Sequence, residues 1–350
     1  MNILVVGSGA IGLSTAFELA LAGHSVRVVT RNYEEGTSWV AGGMLAPFSE
    51  GLEGELLKFS VESLNLYSDF IDRLQDVSKI SVYFNRNGIL RLALNEEEFL
   101  SLKERATLYE GMTEVEVLDE TALSQEEPFI SRVAGGVLFS AEGNVDAEKL
   151  MDALIFACEN LKVKIIVDDI TELELSGDRV EGVKGYRDTY KADFYVFCTG
   201  AWSKPLLKVP VFPIKGQILR IKGIELNKVY YSDIAYIIPK ENHILIGATS
   251  EDKGFDARPT LGGIRSLLDG AIKLIPALEE GELLGVKVGF RPATPDDKPI
   301  LKLGENYVYS VGHYRNGILW APVSSKVVLD YVDKGIVSHY FSEFSVSRFE

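Results

Sequence analysis

The chain has 350 residues, 46% of them apolar and 25% charged, which is enough to bury a large core and argues against disorder. Its formal net charge of −15 opposes both a nucleic-acid partner and an anionic membrane surface. Two cysteines, Cys158 and Cys198, and four histidines without ligand spacing support neither a disulfide framework nor a metal site.

The opening "MNILVVGSGAIGLSTAFELALAGHSVRVV" reads as strand, glycine turn, helix, strand. Residues 3–6 are uniformly apolar, as a strand buried on both faces of a parallel sheet requires. Gly7, Gly9 and Gly12 then follow at GxGxxG spacing. In such a turn the first glycine permits the bend, the second admits a pyrophosphate, and the third lets helix pack on strand. The free amides and positive dipole end of the helix favour phosphate. This context makes a dinucleotide site the expectation, with NAD, NADP and FAD all open. The acid expected at the end of the second strand is missing: Thr30 stands there, followed by Arg31. No cationic leader precedes the first apolar stretch and no apolar run is long enough to span a bilayer, so a cytoplasmic protein is expected.

Further along, "GTSWVAGGMLAPF" (36–48) is poor in side chains, so its backbone can lie against a flat ring. A helix is expected over 56–74. "YFNRNGILRLAL" (83–94) carries an Asn87-Gly88 turn signal and reads as a hairpin. A second helix is expected from 147, with Asp146 as its N-cap. Cys158 and Cys198 read as core residues. "IKGQILRIKG" (214–223) and "YIIPKENHILIGAT" (236–249) read as alternating strands, and "APVSSKVVLDYVDKG" (321–335) as a last helix. The expected architecture is α/β: a Rossmann-like nucleotide-binding domain from 1–80, 137–204 and 286–350, interleaved with an antiparallel-sheet (α+β) substrate domain from 81–136 and 205–285. The active site is expected between the two.

Four stretches together resemble the D-amino-acid oxidase family of flavoproteins, and within it the glycine oxidase branch, which supplies the imine of glycine to the thiazole of thiamine. They are "AGGMLAP" near the start, "FYVFCTGAWS" (194–203), "GFRPATPDDKPIL" (289–301) and "GHYRNGILWAP" (312–322). The resemblance runs over nearly the whole chain. It implies FAD, and a non-covalent link, because no cysteine follows Cys198 where sarcosine-oxidase-type members attach flavin. Position by position, it puts Ala10 and Ile11 over the pyrophosphate, Thr30 and Arg31 at the ribose and adenine, and Thr37 and Ser38 on the phosphates. Gly42, Gly43 and Met44 fall along the isoalloxazine, Ile170 at the adenine, and Gly200 close to the flavin. His313, Tyr314, Arg315, Asn316, Gly317, Ile318 and Leu319 wrap its pyrimidine end.

The reaction implied is oxidative deamination by hydride transfer from Cα to flavin N5. It gives an imine, then 2-oxo acid and ammonia, with hydrogen peroxide from oxygen. Its requirements are a clamped carboxylate, a neutral amine and an aimed Cα–H. Arg291 matches the substrate arginine, whose planar fork suits a carboxylate. Arg315 matches a second arginine, and the apolar run after it implies that flavin and substrate supply its partners. Tyr236 matches the tyrosine that bonds the substrate carboxylate. No general base is needed. Ile234 and Ser250 replace histidine and methionine found at pocket positions in relatives, which leaves glycine, sarcosine and small D-amino acids as candidate substrates. The resemblance also allows a homo-oligomer, as in the family's tetramers. Two competing expectations are a D-amino-acid or proline dehydrogenase using an acceptor other than oxygen, and a non-catalytic flavin-binding protein.

Overall fold

The computed structural model describes residues 1–33 and 36–350. The apolar strand Asn2–Val6 lies inside a six-stranded sheet. The order is Ile300–Leu303, Tyr307–Val311, Phe194–Phe197, Asn2–Val6, Ser25–Thr30, Lys164–Val167. All pairs are parallel except the first, which is antiparallel. Alternate residues of the central strand serve two cores. Ile3 and Val5 pack with Phe17, Leu154 and Val328 from the helices Ala10–Leu21, Ala147–Asn160 and Ala321–Lys334. Leu4 and Val6 pack on the other face with Val180, Val183 and Tyr190. These last three belong to a small antiparallel sheet, Ile170–Ser176, Arg179–Gly185 and Thr189–Tyr190, which roofs that face. Burial on both faces is why residues 3–6 of the strand are all apolar. Each buried aliphatic side chain of this size is worth about 1.5–3 kcal/mol.

The helix expected from 147 runs Ala147–Asn160. The Asp146 carboxylate accepts hydrogen bonds from the Glu148 and Lys149 amides at 3.0 and 3.1 Å, as an N-cap should. The helix expected over 56–74 is longer, Gly54–Ser78.

The second sheet has eight strands. The order is Glu282–Ala293, Phe212–Lys222, Ile244–Gly247, Tyr236–Pro239, Val229–Tyr231, Ile89–Ala93, Gly135–Phe139, Val115–Asp119. It takes in Gly135–Phe139 and Glu282–Ala293, so it reaches past residues 136 and 285. It departs from the expected all-antiparallel sheet at one junction, where Val229–Tyr231 pairs in parallel with Ile89–Ala93. The Asn87-Gly88 signal does mark a turn, with Gly88 at φ +87°, but not a hairpin. Phe84–Asn85 pairs with Gly143–Val145, while Ile89–Ala93 joins Gly135–Phe139 in the large sheet. The turn therefore passes the chain from one sheet to another. The helix Leu261–Leu274 covers the outer face of the large sheet, burying Leu267 and Leu274 against Leu219, Ile237 and Ile246. The other face looks toward the nucleotide-binding sheet, and the cavity lies there.

Candidate active site

A cavity of about 800 Å³ runs from the glycine turn to the large sheet. This is within the range of about 300–1,000 Å³ that holds sizeable ligands. It opens at the carboxyl ends of the parallel strands, where doubly wound sheets bind ligands.

The nucleotide end starts at Gly7 (φ +111°), where a Cβ would lie 2.3 Å from the Cys198 carbonyl oxygen. A Cβ at Gly12 would lie 2.0 Å from the Gly7 carbonyl oxygen. Both positions therefore exclude any side chain. Gly9 is the N-cap and supplies no side-chain cap, and the Ala10 amide donates to Ser38 Oγ at 2.9 Å. The first-turn amides ahead of Leu13 have no intrahelical acceptor and stand at the cavity wall, a cradle suited to phosphate. Ile11 and Ser38 line the same wall. Thr37 lines it too, but its hydroxyl donates to the Phe290 carbonyl at 2.6 Å. It ties the turn Thr37–Val40 to the large sheet.

Thr30 lies on the wall as a hydrogen-bond acceptor for Ser8 Oγ at 2.8 Å. The acids at this end come from the neighbouring strand. Asp168 and Asp169 follow Lys164–Val167 and both line the cavity, as does Ile170. The Asp168 amide donates to the Thr30 carbonyl at 2.9 Å, which sets the pair beside the end of Ser25–Thr30. Asp168 is buried, and its carboxylate accepts from the amides of Asp169, Tyr186 and Arg187 and from the Tyr190 hydroxyl. The Arg31 guanidinium sits 4.5 Å over the Trp202 ring, which stacks on Phe255 with centroids 5.3 Å apart. Trp202 also lines the cavity, and Gly200 adopts φ +54° beside it.

The other end is built on glycine. Gly42, Gly43 and Met44 form one wall. The buried Lys240 ammonium holds this segment from behind, donating to the Gly42 and Val145 carbonyls at 2.7 Å each. Burial pushes that ammonium down to about 8. Across the cavity, Arg291 projects from Glu282–Ala293 over Gly216, where a Cβ would lie 2.5 Å from Arg291 Nη1. Arg291 Nη1 donates to the Thr249 carbonyl at 3.0 Å. Tyr236 lies over Gly247 in the same way, a Cβ there falling 2.5 Å from the phenol oxygen. Arg291 and Tyr236 are hydrogen-bonded to each other; burial raises the phenol above its ordinary value of 10.0 although Arg291 pulls it down. The phenol therefore stays a donor at neutral pH.

Arg315, Tyr314, Gly317, Ile318 and His313 line the cavity. Arg315 is exposed along this wall rather than sunk in the apolar run, and its guanidinium lies 5.2 Å over the Tyr314 ring. His313 is buried, faces Ser324 Oγ at 3.1 Å and packs near Trp320; burial pushes it down to about 3, so it is a neutral imidazole. Three expected site residues are off the wall. Gly12 packs on Gly7, Leu319 is wholly buried, and the Asn316 amide reaches Glu50 Oε2 at 3.5 Å. Ile234 and Ser250 are on the wall.

Glu50 was not anticipated. It is half-buried on the cavity wall, in the turn after Met44–Leu45, and burial raises its carboxyl against the opposing pull of Arg315, Asn316, Arg291 and Arg91. That turn hangs on Glu142, whose Oε1 accepts from the Phe48 and Ser49 amides at 2.5 and 3.0 Å. The "DD" after a strand was the one sequence signal that could have found the acids at the nucleotide end; Glu50 has none. Among the described residues no group of His, Cys, Asp or Glu could hold a metal ion, and no helix is long and apolar enough to cross a membrane.

Comparison with known proteins finds relatives along nearly the whole chain. Residues 2–331 match the family described as DAO, FAD dependent oxidoreductase. The chain is 36% identical to the bifunctional protein ThiO/ThiG of Nostoc sp. over 99% of its own length, but it spans only 55% of that protein, about half. It is 30% identical to the glycine oxidase of Geobacillus kaustophilus, covering 99% of this chain and 97% of that one. The crystal structure of glycine oxidase from Geobacillus kaustophilus superposes with a TM-score of 0.94 at 28% identity, covering 99% and 98% of the two chains.

Proposed function

This chain belongs to the DAO family of FAD-dependent oxidoreductases that act on amines and amino acids, and from that premise we propose that it oxidises glycine or a comparably small amine. The imine formed would serve the thiazole branch of thiamine synthesis, a role suggested by the bifunctional relative. The observation that carries the reading is the Arg291–Tyr236 pair, held over Gly216 and Gly247, with the Tyr236 ring lying against Gly42.

The residues fit FAD. The amides of the first turn and Ser38 would receive the pyrophosphate, and the adenosine end would lie among Thr30, Arg31, Asp169 and Ile170. Gly42, Gly43, Met44 and Gly200 would admit the flat ring, with His313–Ile318 at its far end. Cys198 lines the cavity at the glycine turn, beside Gly7 and away from Gly42–Met44, and no cysteine follows it in the sequence, so the cofactor would be held without a covalent link. Held there, FAD would supply the two-electron acceptor for the substrate's hydride, with oxygen as the final acceptor giving hydrogen peroxide.

The chain's own part is positioning. Arg291 clamps the substrate carboxylate through its fork, and the Tyr236 hydroxyl donates a further hydrogen bond. Arg315 adds positive potential at the same end. His313 faces Ser324 rather than the substrate end, where Glu50 is the carboxylate on the wall. A substrate amine that enters neutral needs no base, and its nitrogen lone pair drives loss of hydride from Cα. Imine and hydrogen peroxide leave, and water converts the imine to 2-oxo acid and ammonia.

The test is an anaerobic titration of the yellow protein with glycine, sarcosine, D-alanine and D-proline, followed by rapid mixing with air. Bleaching by a small amine and fast reoxidation are expected. Flavin that stays yellow with every amine defeats the proposal; bleaching with slow reoxidation moves the protein to the dehydrogenases.

A further inference from the structure

The substrate end of the cavity has a distinctive charge balance. Three guanidiniums act on Glu50, those of Arg315, Arg291 and Arg91. Arg91 is drawn off by an ion pair with Asp233, which also lines the cavity, and lies 4.1 Å over the Tyr231 ring. Glu142, behind the turn, is pushed up to about 8, mainly by burial, and accepts the turn's amides instead of lining the cavity. With Arg91 and Asp233 paired to each other, the wall at this end sets Arg291 and Arg315 against Glu50. A small amino acid with a neutral amine carries one negative charge and completes that balance. A substrate with a second carboxylate would leave the cavity with an excess anion in a partly desolvated space, where charge imbalance is costly.

We propose that Glu50 is a specificity-determining residue: by occupying the field of Arg315 it reserves the cavity for substrates with a single carboxylate. The inference rests on the reading above of a small amino-acid substrate. Placement supports it. Glu50 is fixed from both sides, by the Asn316 amide at its Oε2 and by Glu142 under its turn, so it cannot simply swing away from a second anion. Asn316 and Arg315 are neighbours on the same loop, so Glu50 meets both the loop's donor and its cation. Removing the charge while keeping the shape would free Arg315 to bind a second acid group.

The experiment compares wild type, Glu50→Gln and Glu50→Asp as holoenzymes. Two readouts are used: kcat/KM for glycine and for iminodiacetate, and the dissociation constants of glycolate and diglycolate, their unreactive oxygen analogues, read from the flavin absorbance. Glu50→Gln should shift both ratios at least ten-fold toward the dicarboxylate, mainly through KM. Glu50→Asp should keep the wild-type preference within about three-fold. Unchanged ratios in Glu50→Gln, or an equal shift in Glu50→Asp, overturn the proposal. The analogue readout needs no turnover. A shifted binding ratio with no bleaching by any amine would therefore uphold the charge selection and sink only the oxidase reading.

Discussion

On the proposed reading, Arg291 is the residue on which substrate binding would depend most. It sits over a glycine, is aimed by the Thr249 carbonyl, and shares its face with a protonated phenol. Arg291→Ala should lower kcat/KM for glycine by about 2–5 kcal/mol, and Arg291→Lys should recover only part of this because an ammonium cannot present a planar fork. Steady-state kinetics measure both; values equal to wild type would remove Arg291 from the site. His313 supplies a second test. Its folded value of about 3 lies below the roughly 6.5 of an exposed imidazole. As pH falls between those values the unfolded chain binds a proton that the folded chain refuses. The stability is thus complete above about pH 6.5 and is lost toward pH 3, by about 1.4 kcal/mol per unit at most. Urea melts at pH 7.5 and 5.0 should show a shallower pH slope in His313→Gln than in wild type. Arginine, tyrosine and glycine at this site could be read from the sequence because each sits in a stretch with a chemical pattern. Glu50 could not: it follows "APFS" with nothing local to distinguish it from a solvated acid, and only folding brings it to Asn316, 266 positions away.

At the scale of elements, local rules served where the determinants were local. The strand–glycine–helix opening was legible because Gly7 and Gly12 are required by contacts inside the motif itself or at its immediate neighbour strand. Asp146 was legible because an N-cap bonds amides two and three residues ahead. Asp146→Ala should lower stability by about 1 kcal/mol, measured as a fall in melting temperature of the holoenzyme, whereas Asp146→Asn should be nearly silent. Pairing was less legible. Asn87-Gly88 dictates a turn but says nothing about which strands will flank it, and here they enter different sheets. The acid of the nucleotide end was missed for the same reason. Its usual place, residue 30, holds a threonine, and the carboxylates arrive from a strand whose adjacency is a tertiary fact.

For the whole molecule, the cavity lies between two sheets joined around it, among other ties by Glu148, which pairs with Arg220 and Lys287 of the large sheet. The turn Thr37–Val40 is bound to Phe290 of the large sheet, and Lys240 of that sheet holds Gly42. A ligand lying along both walls should therefore brace the assembly. Adding FAD to flavin-stripped protein at 100 times its dissociation constant should stabilise it by about 2.7 kcal/mol, seen as a rise in melting temperature. An unchanged transition would mean that the cavity does not bind the cofactor when folded.

The split parallel sheet also bears on how the protein is made. Asn2–Val6 pairs on one side with Ser25–Thr30, close in the chain, but on the other with Phe194–Phe197, and that strand in turn awaits Tyr307–Val311. At a synthesis rate of about 5–20 residues per second, the emerging strand–helix–strand unit waits about 8–33 s on the ribosome before its second neighbour exists. Through that interval one edge of an apolar strand stands open to any passing chain, so the nascent polypeptide, far more than the finished enzyme, is where a chaperone would be needed.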